Sequence, residues 1–241
     1  MDRGRSRSKT AGVGGSRTLL RLSALVALVM FGLASIPASA GPPVVPRTSV
    51  SAYFFGDSLM AGTGSYPRRP VMARVAAAQL GWQVEVDAWG GTGFTTTGDA
   101  TPGYLERLQR PGALAGTYDV VLLEGGTNDA RIGSTPKQVR AALREVVALV
   151  RERQPQATVV LMGAYDPPAH GRQNAHRAVV DAALQEAAAE LGLPFLSPIS
   201  GGWSVDQPAS FLSTDGLHPT AFGYGVMGTR LAQALQELLP S

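Results

Sequence analysis

Residues 119–150 read DVVLLEGGTNDARIGSTPKQVRAALREVVALV, and the order of the parts of this stretch decides the architecture. Asp119 to Leu123 reads as a short strand whose last four residues are continuously apolar, the pattern of a strand covered on both faces. Gly125 and Gly126 break it. Thr135 then fits an N-cap, and Pro136 sits at the first helical position, where its missing N–H is no loss. Val139, Leu143, Val146, Val147 and Val150 recur at helical spacing, so one apolar face can lie on a sheet. A buried strand, a glycine turn and an amphipathic helix make one repeat of strand–helix alternation.

The same alternation extends outward in both directions. Val50 to Phe55 is an apolar run ending at Gly56. Pro70 to Leu80 reads as a helix stopped by Gly81. Gln83 to Ala88 alternates as a strand and runs into the glycine-rich segment 90–98. Ala157 to Met162 is a fourth strand closed by Gly163, and Arg172 to Leu191 is an alanine-rich helix closed by Gly192. Phe195 to Ile199 gives a short fifth strand. Pro219 to Leu239 reads as a last helix despite Gly223, Gly225 and Gly228. The expectation is an α/β fold with a central parallel sheet of about five strands and helices on both faces. In such sheets ligands bind beyond the carboxyl ends of the strands, where the strand order reverses. The polar, glycine-rich clusters follow the first three strands at those ends.

The chain has 241 residues, enough for one domain with a sizeable core, and 44% of them are apolar. Its net charge is +3, but that charge is not spread evenly. Arg3, Arg5, Arg7, Lys9, Arg17 and Arg21 precede an apolar stretch from Leu22 to Ile36 and the small-residue site Ala38-Ser39-Ala40, which together read as a cleaved export signal over residues 1–40. The apolar stretch is too short to span a membrane. Beyond residue 40 stand 15 basic and 17 acidic residues, a nearly neutral body with no footprint for nucleic acid. Residues 41–49 form a Pro-rich linker, and residues 50–241 the folded domain. The chain contains no cysteine, so disulfides, thiolate metal sites and a cysteine nucleophile are excluded.

Four short motifs carry chemistry. Gly56-Asp57-Ser58-Leu59 places a serine where the first strand turns outward, with its own N–H free; a serine there needs a base to activate it. Asp215-Gly216-Leu217-His218-Pro219 lets a tight turn aim a carboxylate at one ring nitrogen and leave the other for a nucleophile. Asn128, in Gly125-Gly126-Thr127-Asn128-Asp129, can donate to a developing oxyanion. Gly90-Gly91-Thr92-Gly93 offers a bare backbone N–H for the same purpose. Taken singly, each has a plainer reading: a helix-capping serine, a helix-start histidine, an Asx turn, an ordinary glycine turn. Of the other histidines, His176 falls in a helical pattern and is expected to face solvent, and His170 lies in a Pro/Gly-rich loop.

In this order and context the four motifs resemble the SGNH, or GDSL-type, hydrolase family over roughly residues 51–239. Gly56-Asp57-Ser58-Leu59 corresponds to the family's nucleophile block, Gly-Gly-Thr-Asn-Asp to its asparagine block, and Asp215-x-x-His218 to its last block. The glycine block departs from the pattern, because Asp87 and Ala88 stand where an Asn usually begins it. The resemblance implies a flavodoxin-like three-layer sandwich and a serine esterase mechanism without cofactor or metal. Ser58 would be the nucleophile, His218 the base and Asp215 its orienting partner, with Ser58, Gly91 and Asn128 supplying the oxyanion hole. Asp57, Trp89, Gly93 and Asp129, which flank these groups, are expected to line the substrate site.

Competing readings fail on spacing. No Gly-x-Ser-x-Gly elbow occurs, the 93–98 segment has Asp99 where a phosphate loop needs Lys, and the glycines do not match a dinucleotide fingerprint. Two further alternatives stay open here, acyl transfer between envelope sugars and a secreted binding domain without catalysis. Trp89, Phe94, Tyr104, Tyr165 and Trp203 are candidates to stack on sugar rings. No long apolar lid lies between the motifs, so a short-chain acyl ester, on a small molecule or a polysaccharide, is the expected substrate of an exported enzyme.

Overall fold

A computed structural model of the chain describes residues 49–69, 71–96, 102–167 and 171–239, apart from the side chains of 171–174. The export signal expected over 1–40, the linker up to residue 48, and His170 lie outside the described residues.

Five strands, β1 (Ser51–Gly56), β2 (Gln83–Ala88), β3 (Val120–Glu124), β4 (Thr158–Met162) and β5 (Phe195–Leu196), form one sheet in the order β2-β1-β3-β4-β5. Every pairing is parallel. This is the flavodoxin-like order, which reverses direction between β1 and β3. The sheet's two faces sort the strand residues by parity. Tyr53, Phe55, Val121, Leu123, Val159 and Leu161 pack on one side, Ala52, Phe54, Val120, Leu122, Val160 and Met162 on the other. Strands buried on both faces therefore show no apolar–polar alternation. β2 lies at the sheet's edge and is only half covered, which explains its alternating sequence.

Helices α1 (Val71–Leu80) and α6 (Ala221–Leu238) pack against each other over the second face, while α4 (Pro136–Arg153) and α5 (Gly171–Leu191) pack over the first. The cap read at Thr135 is a full capping box, with Gln138 answering it. Two glycines of α6, Gly223 and Gly228, are there for contact, whereas Gly225 faces open space. A Cβ at Gly228 would lie 2.7 Å from Val75 Cβ and 2.8 Å from Met72 O, so the glycine sets how closely α6 approaches α1. Two short helices, α2 (Tyr104–Gln109) and α3 (Thr127–Arg131), were not anticipated from sequence. At 6 and 5 residues they are too short to show a periodic stripe.

Asp181 of α5 reaches across to the end of β4. It accepts from Ala164 N–H at 2.9 Å and from Ser197 Oγ at 2.6 Å. Burial pushes its carboxyl up to about 6, against the bonds from Ser197 and Ala164. Between pH 4 and 6 the folded chain thus keeps a proton that the unfolded chain releases, so rising pH favours unfolding. The stability advantage of wild type over Asp181→Asn is expected to shrink across this window by up to about 3 kcal/mol, measured by urea unfolding at both ends. An advantage that grows with pH would contradict this account of Asp181.

Candidate active site

The nucleophile turn is built from beneath. A Cβ at Gly56 would meet Glu124 Oε2 at 2.3 Å and Met60 Cβ at 2.8 Å, so only glycine lets β1 end this close to β3. Asp57 N–H donates to Glu124 Oε2 at 3.1 Å, and Asp57 Oδ1 accepts from Leu59 N–H at 2.8 Å. Asp57 and Glu124 are both fully buried. Burial raises both carboxyls, Asp57 to about 6 and Glu124 well above the carboxylate range, with Asp57's charge adding to the latter. Ser58 O and Asp57 O accept from Thr63 and Ala61 N–H groups, which closes the turn. Ser58 is left half-buried at a cavity of about 360 Å³. Among the described residues its N–H meets no acceptor.

The last loop carries the base. Asp215 Oδ1 accepts from Ser213 Oγ (2.7 Å) and from the N–H groups of Leu217 and His218 (both 2.9 Å). Its Oδ2 faces His218 Nδ1 at 2.7 Å. Partial burial raises the Asp215 carboxyl, but the bonds donated by His218, Leu217 and Ser213 outweigh it and hold the group well below the usual range. With an ionised acceptor at Nδ1, that nitrogen carries the proton and Nε2 presents its lone pair. His218 Nε2 stands 2.8 Å from Ser58 Oγ, across 160 positions of sequence. The three side chains thus form one hydrogen-bonded line.

The glycine loop after β2 forms the facing wall. Gly91 has φ +80°, a conformation that favours glycine, and its N–H meets no acceptor among the described residues. Asn128, from α3, lines the same cavity, but its amide is not idle. Nδ2 donates to Asp57 Oδ2 at 2.8 Å and to Thr92 O at 3.0 Å. One amide therefore ties the nucleophile turn, the glycine loop and α3 together. Arg107 of α2 ties the same loops from below. It donates to Gly56 O, Thr92 Oγ1, Asp87 O and Asp87 Oδ1 and is wholly buried.

Several residues expected to meet substrate do other work. Asp129 is buried and accepts from Phe94 N–H, Thr95 N–H and Thr95 Oγ1, so it clamps the glycine loop from behind. Gly93 faces that carboxylate: its N–H donates to Thr96 O, and a Cβ would lie 2.6 Å from Asp129 Oδ2. Trp89 lies outside the cavity wall, with the Arg110 guanidinium 3.9 Å from its ring centre. Phe94, Tyr104 and Trp203 are core residues. Asp57 belongs to the floor, with both oxygens engaged by the protein. Of the five aromatic candidates, Tyr165 alone lines the cavity. His176 does not face open solvent; its ring bonds to Ser134 O at 3.2 Å and is half-buried.

The cavity wall also includes Thr63, Arg68, Thr127, Arg131 and Leu217, which sequence reading did not single out as site residues. Leu217 lies inside the Asp-x-x-His turn. The other four follow β1 or β3 within a dozen positions, and that placement at the carboxyl end is the signal that could have found them.

Residues 54–226 match the sequence profile of the GDSL-like Lipase/Acylhydrolase family. The chain belongs to this family. This GDSL-like acylhydrolase is thus a carboxylic ester hydrolase by family. Its fold is also that of several solved structures. One is a Corynascus thermopiles (Myceliophthora fergusii) carbohydrate esterase family 2 enzyme with a carbohydrate-binding domain: 21% identity, TM-score 0.66, covering 83% of this chain and 69% of that one. A Clostridium thermocellum family two carbohydrate esterase in complex with cellohexaose gives 18%, 0.62, 82% and 66%. A lipase/acylhydrolase from Enterococcus faecalis gives 20%, 0.61, 80% and 98%. The GDSL-like acylhydrolase spans about two thirds of the length of the two carbohydrate esterases. No curated protein matches it.

Proposed function

We propose that this chain is an exported esterase that removes short acyl groups from carbohydrate through an acyl-enzyme on Ser58. The observation that carries the reading is the 2.8 Å contact between His218 Nε2 and Ser58 Oγ, with Asp215 Oδ2 at 2.7 Å behind the ring. His218 takes the Ser58 proton as Oγ attacks the ester carbon, and the carbonyl oxygen becomes an oxyanion. The free N–H groups of Ser58 and Gly91 receive that charge, and the Asn128 amide adds to them by sharing one of its hydrogens. His218 then returns the proton to the leaving alcohol. Water repeats the sequence on the acyl-enzyme and frees the acid.

The cavity supports a short acyl group: about 360 Å³ lies at the low end for small-molecule sites, and Leu59 and Leu217 are its aliphatic side chains. The carbohydrate part rests on the likeness to two carbohydrate esterases, and export rests on the leader at residues 1–40. A p-nitrophenyl ester series is expected to peak at two to four carbons, and acetylated oligosaccharides to be deacetylated. An optimum at ten or more carbons would overturn the substrate reading. Asn128→Ala is expected to lower kcat by about 10²-fold, the worth of one oxyanion donor. An unchanged kcat on p-nitrophenyl acetate would confine Asn128 to holding the loops.

A further inference from the structure

Two guanidinium groups stand at the cavity, and neither has a carboxylate partner among the described residues. A Cβ at Gly90 would lie 3.5 Å from Ser58 Cβ and 3.8 Å from Arg68 Nη2, so Gly90 has both the nucleophile residue and the Arg68 fork as neighbours. Arg131 Nε lies 3.5 Å from Asn128 Oδ1, beside the oxyanion wall. Both arginines line the cavity and both are exposed. Among the described residues neither forms an ion pair, whereas Arg107, Arg140, Arg144 and Arg177 each face an Asp or Glu. Nor do the described residues of the cavity wall offer them a free counter-ion. Asp57 is buried and bonded to Leu59 and Asn128. Asp215, on the far side of His218, is taken up by four donors.

A cavity with two unneutralised forks and, among the described residues, no free carboxylate attracts anions, and a guanidinium fork matches a carboxylate in two parallel bonds. We propose that the ester cleaved here carries a negatively charged group, a carboxylate of either the acyl or the alcohol part, held by Arg68 and Arg131 beside Ser58. The proposal rests on the esterase reading above and narrows its substrate class.

The test uses two matched pairs of esters at low ionic strength. O-acetylated methyl glucuronide against the same acetate of methyl glucoside puts the charge on the alcohol side, and p-nitrophenyl hydrogen adipate against p-nitrophenyl hexanoate puts it on the acyl side. In at least one pair the charged ester is expected to lead by about 10-fold in kcat/KM, a few-fold for each exposed ion pair. The lead should fall as salt rises, drop to near unity in the Arg68→Gln/Arg131→Gln variant, and return in part in the double lysine variant. The pair that shows it assigns the carboxylate to the acyl or the alcohol part. Ratios at or below one in both pairs, or a lead that survives removal of both arginines, would overturn the proposal. Loss of all ester turnover, with no fluorophosphonate adduct on Ser58, would instead remove the esterase reading beneath it.

Discussion

Ser58→Ala is expected to lower kcat for p-nitrophenyl acetate by about 10⁴- to 10⁶-fold, the range seen when a triad nucleophile is removed, while moving the unfolding midpoint little. The two effects separate because of where the hydroxyl sits. Its partner in the structure is His218 Nε2 at 2.8 Å, and the residue is half-buried at the cavity wall rather than packed in the core. Losing that one bond costs about 1 kcal/mol. The reaction loses the atom that forms the acyl-enzyme, and the Ser58 N–H with Gly91 can only assist direct attack by water. A variant that keeps a tenth or more of the wild-type rate would place the nucleophile elsewhere.

Arg107→Met is expected to destabilise the fold by about 3–5 kcal/mol, the cost of stripping one partner from a buried charged network. Arg107 Nη1 donates to Gly56 O and Thr92 Oγ1 at 2.9 Å each, and Nη2 to Asp87 O and Oδ1 at 3.0 and 2.6 Å. The guanidinium also lies 4.1 Å from the Phe55 ring centre. Methionine fills the space but removes all four of these donated bonds, leaving Gly56 O to Trp89 N–H and the Asp87 carboxylate to Tyr53 and Arg110. Because the severed bonds join the ends of β1 and β2 to the glycine loop, kcat/KM should fall as well, although Arg107 touches no reacting atom. Arg107→Lys should recover part of the loss, since it keeps the charge but not the fork. Urea unfolding and ester kinetics on the three proteins read both effects, and a loss below about 1 kcal/mol for Arg107→Met would contradict the network's role.

The long elements of this fold were legible because each obeys one period. The strands of the sheet interior are continuous apolar runs and α4 is a clean stripe with its cap, so strand–helix order and the site's location at the carboxyl ends followed. The approach of Ser58, His218, Gly91 and Asn128 to one cavity, with Asp215 behind His218, was legible because their motifs, placed directly after a strand or before a helix, resemble the blocks of one hydrolase family. What escaped reading depends on contacts between segments distant in sequence. Asp129 looked like a site residue because it adjoins Asn128, yet its carboxylate turns inward to three donors of the glycine loop. Trp89 and Gly93 looked like substrate contacts because they flank Gly91, and one faces Arg110 while the other faces Asp129. Arg107 had no motif at all. Its role arises only where three chain segments meet, and no local spacing encodes that.

The most direct test of the central claim is covalent. The purified protein treated with a fluorophosphonate and mapped by peptide mass spectrometry is expected to carry one adduct, on Ser58, formed far more slowly in His218→Ala and not at all in Ser58→Ala. An adduct on any other residue, or none in a preparation that turns over esters, would contradict the mechanism.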